Sequence, residues 1–243
     1  MTPSPANGPL TMLEAASDRI SLWEDAYLRF ETPAQEVRKF RRRLRTLGAP
    51  SWPADAQIVE LFCGRGNGLR ALDAMNFTNI AGVEMSARLA SLYDGPGQIV
   101  VADCRTLPFG RAVRDVLIVQ GGLHHLVALP EDLESVLSEA ARVLKPTGRL
   151  VVVEPWRTPF LSAVHRVSRM KLARALSNRM DAFETMFQNE RETYENWLDE
   201  SEMILSVLKQ YFNTEMKGMK WGKLMFVGRP RRRASPVCHP GPP

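Results

Sequence analysis

The stretch Ile58-Val59-Glu60-Leu61-Phe62-Cys63-Gly64-Arg65-Gly66-Asn67-Gly68-Leu69-Arg70-Ala71-Leu72 decides the fold. Residues 58–62 are a short apolar run broken by one carboxylate, the pattern of a buried strand. Gly64, Gly66 and Gly68 then crowd a turn, and residues 69–75 have helical composition. Strand, glycine-rich turn and helix in this order make the first half of a nucleotide-binding βαβ unit. The glycines let backbone approach a ligand closely, and the helix start leaves N–H groups free. Such turns also follow strands for purely structural reasons, so the spacing of what comes next carries the decision.

A second strand at 80–83 ends in Glu84-Met85, about twenty residues after the first glycine, where an acidic side chain can take both hydroxyls of a ribose. A third at 99–102 ends in Asp103-Cys104, with Leu107-Pro108-Phe109 closing the segment. A fourth at 116–120 opens into Gly121-Gly122-Leu123-His124-His125-Leu126. Arg142-Val143-Leu144-Lys145-Pro146-Thr147-Gly148-Arg149 then turns a helix into a fifth strand at 150–154.

These ordered motifs closely resemble the class I S-adenosylmethionine-dependent methyltransferases, in particular the small-molecule branch of the methyltransferase type 11 kind. The resemblance covers about residues 55–155 and, more loosely, two closing strands near 211–217 and 220–227. It implies an α/β, Rossmann-like fold: a seven-stranded, mostly parallel sheet with an antiparallel last strand, extra N-terminal helices and a helical insertion after strand 5. It also implies S-adenosyl-L-methionine as cofactor. Glu84, with Met85 beside it, is then expected to hold the ribose, and Asp103 the adenine amino group, with the Cys104 N–H nearby. Glu60, Phe62, Gly64 and Gly66 shape the turn under the amino-acid portion, and Gln120 ends its strand near the sulfonium. Three positions depart from the family pattern: Phe62 stands where glycine is frequent, Glu60 where aspartate is commoner, and Thr147 where the turn usually has its first glycine.

The acceptor side has two candidate catalytic residues, His124 and His125. A neutral imidazole after the fourth strand can take a proton from a hydroxyl or amine. A Leu-His-His-Leu segment equally suits a turn in which histidines satisfy backbone groups, and this structural role is the favoured reading for at least one of them. No acidic cluster with metal-ligand spacing stands out, so no metal is expected. Three functions stay open. The first is methylation of a small-molecule acceptor by direct displacement. The second is methylation of a tRNA nucleoside, since some tRNA-modifying enzymes share a Leu-His-His turn. The third is a non-catalytic cofactor-binding protein. The Gln120-Gly121-Gly122 ending disfavours methylation of a nucleic-acid exocyclic amine, which uses an Asp/Asn-Pro-Pro-Tyr-like turn.

At 243 residues the chain is long enough for one α/β domain with additions. The expected organisation is a disordered N-terminus at 1–10, a helical cap at 11–50, and a methyltransferase domain at 51–228 that includes a helical cover at 156–210. A disordered basic tail follows at 229–243. Arg229, Arg231, Arg232 and Arg233 supply most of the formal net charge of +5, so the body is nearly neutral and a nucleic-acid partner is not favoured. No apolar stretch has the length of a membrane helix and the N-terminus lacks a signal design, so no membrane partner is expected. Cys63, Cys104 and Cys238 lack metal spacing, and two lie inside cofactor motifs, which fits a reducing cytoplasm. Oligomeric state is not legible.

In the cap, Thr11 and Glu14 form a capping-box pattern, and Ile20, Trp23, Tyr27 and Phe30 share one helical face. Thr32-Pro33 with Gln35 starts a second helix that Gly48 can end, with Val37, Phe40, Leu44 and Leu47 as its buried stripe. Beyond the fifth strand, helical spacing begins at Phe160, and 182–199 and 202–211 read as further helices. Trp23, Tyr27 and Trp156 are the candidates for the substrate side.

Overall fold

The computed structural model describes residues 9–231. Of the disorder expected over residues 1–10, residues 1–8 lie outside the described residues, as does the tail from 232 onward, Cys238 included, whereas residues 9 and 10 open the first helix. The elements run in the order α1 (Pro9–Phe30), α2 (Pro33–Thr46), β1 (Ile58–Leu61), α3 (Asn67–Asp73), β2 (Ile80–Glu84), α4 (Ala87–Ala90), β3 (Gln98–Val101), β4 (Arg114–Gln120), α5 (Glu131–Val143), β5 (Leu144–Pro155), α6 (Pro159–Ser168), α7 (Lys171–Leu176), α8 (Asn178–Asn189), α9 (Arg191–Asp199), α10 (Ser201–Tyr211), β6 (Phe212–Lys220) and β7 (Lys223–Pro230).

All seven strands form one sheet in the order β3-β2-β1-β4-β5-β7-β6. Neighbours from β3 through β5 pair in parallel, and β7 runs antiparallel to both β5 and β6. The chain leaves β1 toward one edge through β2 and β3, then returns to β4 and continues toward the other. That reversal opens a crevice at the carboxyl ends of β1 and β4, where open α/β sheets take their ligands. Each residue of β1 is buried, as a strand covered on both faces requires. One apolar cluster joins β1, β4 and β5 to α5, α9 and α10, and the other joins them to α2 and α3.

Three expected boundaries shift. β5 begins at Leu144 rather than 150, because Leu144 pairs with Arg114 before the register shifts and Arg149 pairs with Val116. The single helix read over 182–199 is two helices, broken at Glu190, whose φ of −118° and ψ of 14° leave helical geometry. The tail starts later than 229, since β7 reaches Pro230, Arg229 pairs with Glu215, and the Arg231 N–H reaches the Tyr211 carbonyl at 2.8 Å.

The second N-terminal helix has the cap its sequence promises. The Thr32 hydroxyl accepts from the Gln35 N–H, the Gln35 side chain accepts from the Thr32 N–H, and Pro33 occupies the first turn. α1 lies along α8, with Phe30 and Phe183 ring centres 6.0 Å apart and Arg179 paired to Glu31.

Candidate functional site

The turn after β1 is shaped by what presses on it. Gly64 and Gly66 have φ of 54° and 74°, which a side chain rarely adopts. A Cβ on Gly64 would lie 2.9 Å from Tyr27 Oη, and one on Gly66 would lie 2.3 Å from the Tyr93 ring. Phe62 itself has φ of 54°, and its ring fills the space beside Gly122, so it stands at the junction of the β1 and β4 turns. From α2, Glu36 grips the same turn: it accepts from Arg65 Nη2 at 2.7 Å and Asn67 Nδ2 at 2.6 Å, all three residues being buried.

Glu60 and Gln120 meet across the crevice, with Gln120 Nε2 donating to Glu60 Oε1 at 3.2 Å. Glu60 Oε2 and Gln120 Oε1 are buried without a hydrogen-bond partner. Burial pushes the Glu60 carboxyl up to about 8, with Glu36 and Glu84 adding and the Gln120 amide opposing. An unpartnered amide oxygen and an unpartnered carboxyl oxygen that becomes an acceptor once Glu60 ionises suit a ligand that brings donors and positive charge. The residues present therefore fit the cationic end of the expected cofactor.

Glu84 ends β2 half-buried, accepting the Gly64 N–H at 2.8 Å on one oxygen and the Ser86 N–H at 2.8 Å on the other. A carboxylate has about four acceptor positions, so two remain for ribose hydroxyls. Met85 beside it is exposed. Asp103 sits at the end of β3, where Arg105 Nη2 holds its carboxylate at 2.7 Å and keeps it below the usual range. Cys104 is buried and free.

The two histidines sit in different surroundings. His124 is buried, and its Nδ1 is 2.7 Å from Glu154 Oε2. The other Glu154 oxygen accepts the N–H groups of Gly122 and Leu123 at 2.8 and 2.9 Å. Burial raises the Glu154 carboxyl, but His124 and those N–H groups outweigh it and hold it below its ordinary value. One carboxylate from β5 thus fixes the whole turn after β4. His125 is half-buried and points elsewhere: its Nδ1 is 2.9 Å from Glu190 Oε2. Burial lowers the His125 pKa, yet Glu190, with Glu154 and Glu84 behind it, raises it overall. His124, His125 and Glu190 each bring a ligand atom within 4.8 Å of the other two, the reach of a metal site. His125 Nδ1 and Glu190 Oε2 approach to 2.9 Å as an ion-pair contact, but Glu190 Oε2 is buried and accepts no hydrogen bond, so this oxygen stays open to a partner in the site.

Trp23 and Tyr27 stack with ring centres 5.4 Å apart, and Trp23 meets His125 edge-on at 5.1 Å. Both α1 candidates therefore reach the crevice. Trp156 does not: it is 5% exposed within the core, its N–H bonded to the Gly222 carbonyl at 2.9 Å. Its position as the first residue past β5 packs it inward and gives it no substrate-facing surface. Glu190, Glu154 and Glu36 were absent from the sequence candidates. Glu154 was the one with a signal, an acid ending the strand next to β4.

Residues 59–152 match the family model described as a methyltransferase domain. Over 132 residues the chain is 30% identical to a demethylmenaquinone methyltransferase of Mycolicibacterium paratuberculosis, a match covering 51% of this chain and 52% of that protein. The chain thus spans about half the length of the curated relative it matches. A crystal structure from Pyrococcus horikoshii superposes with a TM-score of 0.60 at 18% identity, over 80% of this chain and 91% of that one. The 1,6-didemethyltoxoflavin-N1-methyltransferase of Burkholderia thailandensis, solved with its substrate and S-adenosylhomocysteine, superposes with a TM-score of 0.55 at 17% identity, over 94% and 93%. The sheet order and the antiparallel β7 are those of the Rossmann-like methyltransferase fold.

Proposed function

We propose that this chain, which carries a class I methyltransferase domain, binds S-adenosyl-L-methionine and transfers its methyl group to a small-molecule acceptor. The observation that carries the reading is the convergence of Glu60, Gln120 and Glu84 on one glycine turn, with unpartnered buried acceptors facing it. When bound, the cofactor supplies an electrophilic methyl carbon on a sulfonium. Glu84 takes the ribose hydroxyls, Asp103 the adenine amino group, and Glu60 with Gln120 the cationic end.

His125 and Glu190 form the proton-accepting pair on the acceptor side, and His124 with Glu154 fixes the turn that presents them. Neutral His125 accepts the acceptor's proton, and Glu190 stabilises the imidazolium that results. Such a group contributes typically ~10²–10⁴ in rate. α1 and the insertion cover this pair, since Trp23 packs on His125 and the α8–α9 junction delivers Glu190. A closed, aromatic-lined cover favours a compact ringed acceptor over a polynucleotide, and the likeness to a demethylmenaquinone methyltransferase points to a quinol-type ring. Incubating the protein with cell extract and isotopically labelled methyl donor tests this. Label in small, extractable ring compounds is the expected result. Label in tRNA would overturn the acceptor class, and cofactor binding without label in either fraction would favour a binding protein.

A further inference from the structure

The segment 155–180 contains Arg157, Arg166, Arg169, Lys171, Arg174 and Arg179 and no acidic residue. Along it the fold leaves large apolar side chains in solvent. On α6, Phe160 and Val167 are exposed along one stripe with the half-buried Val164, about a quarter-turn from the buried Leu161 and Ser168. Leu172 and Leu176 lie one turn apart on α7 and are 66% and 79% exposed. The tip of the β6–β7 hairpin adjoins the start of α6: Trp221 is 66% exposed and its ring meets Phe160 edge-on at 5.3 Å. Lys220 lies 5.9 Å over that indole, and Lys217 and Met219 are exposed beside it.

Four of the six cations have acidic partners, Arg157 with Asp199, Arg169 with Glu195, Arg174 with Asp181 and Arg179 with Glu31. Arg166, Lys171, Lys217 and Lys220 have none within salt-bridge distance among the described residues. Single exposed apolar residues need no explanation. An indole, a phenyl ring and several aliphatic chains beside unpaired cations are different, because this is the composition of a face that lies in a lipid headgroup region.

We propose that α6, α7 and the β6–β7 tip dock this chain on an anionic bilayer surface. Trp221, Phe160, Leu172 and Leu176 enter the boundary between headgroups and acyl chains, and the unpaired cations lie over acidic headgroups. Phosphate backbones of a nucleic acid would engage the cations but leave the leucines and valines in water. A two-fold contact with a second copy would bring the same unpaired cations together. The docking face belongs to the insertion that delivers Glu190, so the bilayer adjoins the cover of the acceptor site. No described helix is long and apolar enough to cross a membrane, and this surface mode needs none.

Flotation of the full chain with vesicles, without cofactor or acceptor, tests the proposal. Equimolar phosphatidylglycerol and phosphatidylcholine vesicles are compared with phosphatidylcholine alone. The arginines of the C-terminal tail are present in every variant, so the deciding comparison is between proteins of equal charge: wild type, Leu172→Ser with Leu176→Ser, and Trp221→Ser, each checked for folding by circular dichroism. Wild type should float with anionic vesicles, and both variants should partition at least tenfold less. Lys171→Glu should lower partition more than the about fivefold worth of one cation, because it also adds a negative charge. Equal flotation of wild type and the leucine variant, or none by either, overturns the proposal. So does self-association lost in the leucine variant without flotation, which would identify a second copy as the occupant. RNA retention that survives the leucine changes but not Lys171→Glu, in a protein that does not float, would identify nucleic acid. Methyl transfer plays no part in this assay, so the two readings fail separately.

Discussion

Replacing Glu60 by Gln should stabilise the ligand-free protein, increasingly so as pH rises. Glu60 is 3% exposed, and burial, aided by Glu36 and Glu84, moves its carboxyl from the ordinary 4.5 to about 8. Between those values the folded chain keeps a proton that the unfolded chain has lost. Unfolding is therefore favoured by rising pH across that window, by ~1.4 kcal/mol per unit. The whole interval amounts to roughly 5 kcal/mol, and the effect levels off above 8. The substituted glutamine does not titrate and retains the amide contact with Gln120. Urea denaturation of both proteins at half-unit steps from pH 5 to 8.5 should give a stability difference that grows in favour of the variant. The cost has a functional counterpart, since a cationic ligand at this floor ionises Glu60. Calorimetry at pH 7 in buffers of different ionisation heat should then show a proton released on cofactor binding to wild type and none with Glu60→Gln. Parallel stability curves and equal proton release would refute the assignment of Glu60 as a carboxyl held neutral for a cation.

Glu84→Ala, checked for folding because Glu84 also holds the Gly64 and Ser86 N–H groups, should bind the cofactor and its demethylated product at least tenfold more weakly by calorimetry; a hydrogen bond to a charged group contributes ~1.5–3 kcal/mol. His124→Ala leaves one oxygen of the buried Glu154 without its hydrogen-bond partner, so chemical denaturation should show a loss of ~1–3 kcal/mol while turnover per folded molecule survives. His125→Ala, which also removes a contact of Glu190 and of Trp23 and so lowers stability somewhat, should keep cofactor affinity and lose ~10²–10⁴ in turnover per folded molecule. The rate of wild type should rise with pH above the ordinary histidine value of 6.5, because Glu190, then Glu154 and Glu84, raise the His125 pKa. Glu190→Gln should move that limb toward lower pH, and an unmoved limb would exclude the pair as the proton acceptor.

The cofactor half of the site was legible because its information is local. A strand, its glycine turn and the acid ending the next strand each announce themselves by spacing, and parallel pairing of β1 with β2 then brings Glu84 to Gly64. The acceptor half was legible only as two adjacent histidines whose roles could not be divided. What divides them lies far along the chain: Glu154 is 30 residues from His124, and Glu190 arrives from an insertion with its own packing. Apolar periodicity over 182–199 favoured one continuous helix, and no propensity rule marks Glu190 as the break. Tertiary contact decides it, since the residue that leaves the helix is the one facing His125. The burial of Trp156 was not legible for a related reason. The sequence puts it past the end of β5, but only the β5–β7 pairing shows that its N–H and ring turn inward.

The cap also bears on how the site is entered. Tyr27 and Tyr93 fill the space directly over Gly64 and Gly66, and Trp23 closes the side toward His125. α1 is held there by specific groups: Glu24 accepts from Ser86 Oγ at 2.5 Å and Arg88 Nη1 at 3.0 Å, at the start of the helix that follows Glu84. A ligand atom placed directly over Gly64 would compete with Tyr27 for that space, and the contacts of α1 with Ser86 and Arg88 hold Tyr27 there. If the cofactor takes that space, its affinity is the affinity of the open turn reduced by the free energy of lifting α1. Glu84 couples the two sides, because the same carboxylate that orders Gly64 and Ser86 is the one expected to meet the ribose. Binding and cap position are thus linked through one residue, and any group that holds α8 against α1, such as Arg179 on Glu31, biases the same equilibrium from the acceptor side.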